Sequence, residues 1–164
     1  MDSHPCFSTL ERALIAYRSG RTREALALAE AAFRLSKDLP GASTQAGAVS
    51  SWYGYLLGTV GGNLDDGLLL CRDAAEHVFW EPRVFENLAR LEIEAGSRTA
   101  ALAAIRRGLN LNPEDRELKV IRRWLGVRRP PAVRFLGRNH PLNRFLGQLT
   151  HRPPRIVASA PARA

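Results

Sequence analysis

The sequence predicts an all-α protein built from helical hairpins. Apolar residues recur at three- and four-residue spacing through most of the first 125 positions, and no segment shows the strict alternation of an exposed strand. Glycine or proline interrupts this pattern at intervals, where a helix can end and the chain can turn back. With 45% hydrophobic and 24% charged residues, the chain has the composition of a folded globular protein.

Seven helices follow from these patterns. After Asn112-Pro113-Glu114, the last of them presents Leu118, Ile121 and Leu125 on one face and Arg122 and Arg123 on the other. The six helices before it are predicted over 8–19, 22–37, 46–60, 64–78, 82–95 and 98–111. The predicted breaks are Gly20, Pro40-Gly41, Gly61-Gly62, Pro82, Gly96 and Pro113.

Small residues recur at fixed distances from three of the glycines. Gly20, Gly62 and Gly96 are each followed five residues later by Ala or Gly, and seven residues further on by another. These positions are Ala25, Gly67 and Ala101, then Ala32, Ala74 and Gly108. Small side chains allow two helix backbones to approach closely, as tightly stacked hairpins require.

Together with the segments around them, these residues resemble the tetratricopeptide repeat (TPR) family. The segment from Val84 to Ala89, followed by Gly96, Ala101, Gly108 and Pro113, is the strongest match. The turns at 20–25 and 63–67 match two further repeats, and the register of 48–60 stays open by one residue. The resemblance implies an α-α superhelix, a TPR-like solenoid of about three hairpins plus a capping helix at 114–125.

The same resemblance implies that the leading helix of each hairpin lines a concave groove for a partner's peptide or helix. TPR co-chaperones that hold acidic chaperone tails use Lys and Asn where this chain has Leu10 and Leu14, so that role is not expected. The groove residues carried over from the family are Leu14, Tyr17, Trp52, Tyr55, Arg83, Glu86, Asn87 and Arg90.

Charge is distributed unevenly along the chain. Residues 1–113 hold 12 basic and 13 acidic side chains, whereas 114–164 hold 12 basic and 3 acidic ones. We therefore expect a helical domain over 1–126 and a basic, proline-rich tail over 127–164. The predicted basic residues are Arg122, Arg123, Arg128, Arg129, Arg134, Arg138 and Arg144.

One short amphipathic helix is predicted within this tail, near 140–150. Leu142, Phe145, Leu146 and Leu149 follow Pro141 at helical spacing. Such a helix could cover the last hairpin, which is the interpretation we favour, or lie on an anionic membrane surface. Alternatively, the arginines around it could neutralise the phosphates of RNA or DNA.

Signals for catalysis and metal binding are weak. The four histidines are scattered, two cysteines make no ligand cluster, and no phosphate-binding loop or nucleophile motif occurs. We therefore expect no enzyme activity, cofactor or metal. Burial in the core is the expected role of Cys71 and of most of the aromatic cluster 52–55. Val78, Phe79 and Trp80 are expected either in the core or as a plug under the long first loop.

The function these features favour is a non-catalytic adaptor or scaffold in the cytoplasm, with another protein as partner and homo-oligomerisation left open. Neither a signal-peptide pattern nor a transmembrane stretch is seen. The alternative is a nucleic-acid- or ribosome-associated factor whose arginine-rich tail binds phosphates.

Overall fold

The predicted all-α fold is confirmed. The structure, a computed structural model, describes residues 4–37 and 44–126, and every regular element within those ranges is an α-helix. Each of the seven predicted helices corresponds to one observed helix, with ends that differ by at most three residues. The helices are α1 (Pro5–Arg18), α2 (Thr22–Ser36), α3 (Thr44–Thr59), α4 (Leu64–His77), α5 (Pro82–Glu94), α6 (Arg98–Leu111) and α7 (Arg116–Leu125).

Consecutive helices pair as hairpins, and each hairpin packs on the next. The pairs are α1 with α2, α3 with α4, and α5 with α6, while α7 packs on α6 and α5. Contacts between hairpins run from α2 to α3 and from α3 and α4 to α5. The largest of the fully buried side chains in the resulting core are Leu56, Phe85, Leu91, Ile105 and Leu118.

Glycines in the left-handed conformation end the leading helix of each hairpin. Gly20, Gly62 and Gly96 have φ of 77°, 73° and 73°, a region that residues with a Cβ rarely adopt. The predicted breaks at these three positions are therefore confirmed. The break predicted at Pro40-Gly41 lies outside the described residues.

The turn after α3 contains one residue more than the other two turns. Its closing hydrogen bond, from the Asn63 N–H to the Leu57 carbonyl at 3.2 Å, spans six residues. The corresponding bonds from Arg21 to Ala16 and from Ser97 to Glu92 span five. With this longer turn, Gly54 lies at the point where α3 crosses α4.

Two glycines allow that crossing. A Cβ on Gly54 would lie 2.8 Å from the Gly67 carbonyl oxygen, and a Cβ on Gly67 would lie 2.6 Å from the Gly54 carbonyl oxygen. Both distances are far below van der Waals contact, so the two backbones can meet only where neither residue has a side chain.

α7, the last helix within the described residues, packs on the third hairpin. The carboxylate of Asp115 accepts a hydrogen bond from the Leu118 N–H at 2.9 Å, which satisfies a free donor at the start of α7. Leu118 is fully buried, and it packs over Gly108, where an added Cβ would lie 2.5 Å from a Leu118 methyl carbon. α7 thus covers apolar surface of α6, the capping role that the sequence predicts.

Candidate functional site

A cleft of about 240 Å³ opens between α3 and the start of α5. We call it the α3–α5 cleft. Apolar surface from Trp52, Val84 and Ala48 forms much of its wall, and Arg83 is an exposed cation beside it. The residues that line it are Ala48, Ser51, Trp52, Glu81, Arg83, Val84 and Asn87.

The residues at the start of α5 themselves fix where the helix begins beside the cleft. Pro82 occupies the first helical turn, where its missing N–H costs no hydrogen bond. The carboxylate of Glu81 accepts a hydrogen bond from the Arg83 N–H at 3.4 Å. This hydrogen bond caps the N-terminus of α5. Glu81 and Arg83 are therefore held beside the cleft by the first turn of the helix.

The deep part of the cleft is polar. The amide Nδ2 of Asn87 donates a hydrogen bond to the Ser51 hydroxyl at 3.0 Å, and both residues are at least 98% buried, with 2% and 1% of their surface exposed. An asparagine amide has a second N–H and an oxygen acceptor, which this bond to Ser51 does not use. Because Asn87 also lines the cleft, its amide is the polar group closest in character to a peptide bond in this lining.

Ser51 also connects this pair to the second hairpin. The Cys71 thiol of α4 donates a hydrogen bond to the Ser51 carbonyl at 3.2 Å. Burial raises the pKa of Cys71 to about 12, so the thiol stays protonated and remains a donor at neutral pH. The buried position predicted for Cys71 is confirmed, and its role is structural.

Aromatic side chains hold α1 against α3 beside the cleft. The hydroxyls of Tyr17 and Tyr55 are 3.0 Å apart and hydrogen-bonded, and the two rings meet edge to face. Trp52 also meets Tyr55 edge to face, with 5.9 Å between ring centroids. Burial, together with the bond to Tyr17, raises the pKa of Tyr55. Trp52 lines the cleft, whereas Tyr55 is buried and supports the Trp52 ring through their edge-to-face contact.

Charged residues occupy the next part of α5. Arg90 donates to Glu86 at 2.9 and 3.1 Å, and its guanidinium also pairs with Glu117 of α7 at 3.0 Å. Burial raises the pKa of Glu86, against the opposing effect of Arg90. Both side chains are thus engaged within the protein, and the pairing links α5 to the capping helix.

The predicted groove residues are therefore only partly brought together. Trp52, Arg83 and Asn87 line one cleft. Tyr17 and Tyr55 form its aromatic support, while Glu86 and Arg90 form an ion pair elsewhere on α5. Leu14 is half-buried on α1 and packs against a small apolar cluster that contains Leu10.

Sequence reasoning missed four of the residues that line the cleft: Ala48, Ser51, Glu81 and Val84. Ala48 and Ser51 precede Trp52 by four and one residues and therefore share a face of α3 with it, and the register of α3 decides whether that face is directed toward α5. The signal was the second glycine of Gly61-Gly62. Leu56, four residues after Trp52 on the same helix, is completely buried in the core.

Phe79 and Trp80 contradict the sequence prediction. They were expected in the core or under the long first loop, but 59% and 45% of their surfaces are exposed, and only Val78 of this group is buried. The two rings contact each other edge to face at 4.9 Å in the turn between α4 and α5. Both lie in the turn between α4 and α5, where helical periodicity does not fix the direction of a side chain.

Part of the predicted basic surface lies within the described residues. Arg122 and Arg123 are exposed in the last turn of α7. The remaining tail residues, and the helix predicted near 140–150, lie outside those residues: Arg128, Arg129, Arg134, Arg138 and Arg144. Among the described side chains, no group of three metal-ligating residues lies together.

No described helix is both long and apolar enough to cross a membrane. No family model matches the chain, and no curated protein is significantly similar to it in sequence.

Proposed function

We propose that the chain is a non-catalytic, TPR-like adaptor that binds a peptide segment of a partner protein in the α3–α5 cleft. The observation that carries this proposal is the cleft itself. It combines an apolar wall with a buried amide, Asn87, whose hydrogen bond to the Ser51 hydroxyl uses one of its two N–H groups.

The chemistry of the cleft suits a peptide with an uncharged side chain. The wall formed by Trp52 and Val84 would bury an apolar group, at about 25 cal/mol for each Å² removed from water. A peptide main chain has a C=O and an N–H in the arrangement that a side-chain amide can pair with. Aromatic residues that are half-buried and held by their neighbours, as Trp52 is, make effective anchors because little entropy is lost on binding.

The absence of a charged anchor in the deep part of the cleft sets the expected salt response. Arg83 and Glu81 are of opposite charge and lie at its margin, whereas the buried polar groups are neutral. Affinity should therefore change little between 50 and 500 mM salt, on the order of threefold or less.

A matched pair of substitutions tests the proposal. Ala48→Leu places three extra carbon atoms in the cleft, whereas Ala103→Leu makes the same change on an exposed position of α6. Peptides would be selected from a random displayed library on the full chain and their affinities measured with both variants.

Binding that weakens about tenfold or more with Ala48→Leu and is unchanged with Ala103→Leu would support the cleft as the site. Circular dichroism would verify that both variants fold. Selected peptides that bind the two variants equally well, or a selection that enriches no peptide, would refute the proposal.

A further inference from the structure

A second surface, on α7, has a different chemistry from the cleft. Arg116, Val120, Arg123 and Trp124 follow one another at four-, three- and one-residue spacing, which places them on one side of the helix. The opposite side is buried through Leu118 and Ile121. The outward side remains open, with Val120 51% and Trp124 43% exposed. We call these four residues the α7 face.

The cations of the α7 face are not neutralised within the described part of the protein. The only acidic side chain on α7, Glu117, pairs with Arg90 at 3.0 Å, and Lys119 pairs with Glu114 at 2.9 Å. No ion pair within residues 4–37 and 44–126 involves Arg116, Arg122 or Arg123. After Glu117 the sequence contains no acidic residue at all.

We propose that the α7 face binds single-stranded nucleic acid, with Arg116 and Arg123 against phosphates and Trp124 stacked on a base. Guanidinium groups pair with phosphate oxygens through two parallel hydrogen bonds. An exposed indole beside such cations is a stacking platform for an unpaired base. The basic sequence that continues from α7 to the C-terminus adds charge of the same sign, which a long polyanion can follow.

Two other anionic partners fit the α7 face less well. A stable protein interface buries roughly 800 Å² on each partner, whereas the apolar part of this face is limited to Val120 and Trp124. A helix that lies in a membrane surface needs a broad apolar face, but the apolar side of α7 is occupied by its packing on α6. Single-stranded nucleic acid requires cations for its phosphates and an aromatic ring for a base, and the α7 face has both.

The first test uses Trp124. Binding of a fluorescein-labelled 20-nucleotide oligouridylate to the full chain would be followed by fluorescence anisotropy. Trp124→Ala should weaken binding about tenfold, the effect of losing one base stack. Trp124→Phe, which keeps an aromatic ring, should restore most of the affinity. Phe79→Ala removes another exposed aromatic ring, distant in sequence from α7, and should change nothing.

The second test uses the salt dependence of the same binding. Arg116→Ala combined with Arg123→Ala should reduce the slope of log affinity against log salt by about 1.4, or 0.7 for each lost phosphate contact. The matched double variant, Arg23→Ala with Arg106→Ala, removes two exposed arginines from α2 and α6 and should leave the slope unchanged. Thermal unfolding followed by circular dichroism would show that all variants are folded.

Three results would overturn the proposal. In the first, Trp124→Ala binds the oligouridylate as tightly as the natural chain. In the second, Trp124→Ala weakens the binding of a duplex of equal length as much as it weakens the binding of the single strand, which excludes stacking on an unpaired base. In the third, the chain binds phosphatidylserine vesicles through Trp124 but does not bind the oligonucleotide. Since none of these tests involves the α3–α5 cleft, they succeed or fail independently of the adaptor function.

Discussion

At the scale of single residues, Ser51 is the point where three helices meet. Its hydroxyl accepts from Asn87 of α5, and its carbonyl accepts from Cys71 of α4, while its own backbone belongs to α3. Ser51, Cys71 and Asn87 have at most 2% of their surfaces exposed. A buried polar group without a partner costs about 1–3 kcal/mol, which makes this junction sensitive to the loss of any one member.

A double-mutant cycle measures the central bond. Ser51→Ala and Asn87→Ala should each lower the free energy of unfolding by about 1–3 kcal/mol, because each leaves one buried group unpaired. The double variant should lose about 1 kcal/mol less than the sum of the two. Urea unfolding would give the values, with Ser8→Ala as the control, since that hydroxyl lies at an exposed position.

Additive losses, with no coupling between the two positions, would show that the 3.0 Å contact contributes nothing to stability. A change below about 0.5 kcal/mol for Ser8→Ala is expected from its exposure.

Residues in turns are also where the sequence predicts least. The burial of Cys71 could be predicted because its place in the helix pattern faces a neighbouring hairpin. Phe79 and Trp80 could not be placed, because they follow α4 in a turn and no periodicity fixes the direction of their side chains. Apolar character alone is a weak guide to burial, since much of the surface of any folded protein is apolar.

At the scale of the helices, the contact between α3 and α4 depends on the absence of side chains at Gly54 and Gly67. The other two hairpins have Ala25 and Ala101 where the second has Gly67, counted from the turn glycine. The second hairpin therefore has the smallest possible residue at this position, and its backbones approach closely enough that no methyl group fits between them.

Gly67→Ala tests this close approach. A helical alanine is ordinarily about 1 kcal/mol more favourable than glycine. Here the added Cβ would lie 2.6 Å from the Gly54 carbonyl oxygen, so we expect a net destabilisation of about 1–3 kcal/mol from overpacking. Chemical denaturation would provide the measurement.

Ala103→Gly, at an exposed position of α6, is the control that reports helix propensity alone and should cost about 1 kcal/mol. If Gly67→Ala instead raised the stability, α3 and α4 could separate at little cost, and the close crossing would not be required for the fold.

The helices themselves were predicted well because three separate signals agree on them: apolar spacing, terminating glycines and helix-starting prolines. The cleft was predicted only in part, since its lining depends on the register of α3. One inserted residue in a turn rotates the following or preceding helix by about 100°, which exchanges the residues on one face for those on another. The sequence predicted Trp52 in the lining of the cleft, but it did not predict Ala48 or Ser51 there.

At the scale of the whole molecule, each hairpin within residues 4–37 and 44–126 contacts only the hairpin next to it. α7 touches α6 and α5, and it makes no close packing with α1 to α4. Stability in such an array is approximately a sum of local terms, so a defect at one end should not be felt equally at the other.

Leu118→Ala tests this property. The side chain is fully buried between α7 and the α5–α6 hairpin, and its truncation should cost about 2–5 kcal/mol locally. Hydrogen exchange, read by mass spectrometry on peptic fragments, should show faster exchange in α7 and α6 and little change in α1 and α2.

Val120→Ala is the control, since that residue is on the exposed side of the same helix and should alter exchange only slightly. Uniform acceleration along the whole chain in Leu118→Ala would contradict local stability and would show that the array unfolds as one cooperative unit.

The burial of both thiols has a practical consequence for studying the protein in solution. Cys6 and Cys71 are the only cysteines in the chain, and both are fully inaccessible. Burial raises the pKa of both, so the thiolate that maleimide dyes attack is nearly absent at pH 7. A single exposed substitution such as Ala103→Cys would then carry the label alone, without removal of the native cysteines. Energy transfer to that dye could follow partner binding in an otherwise natural chain.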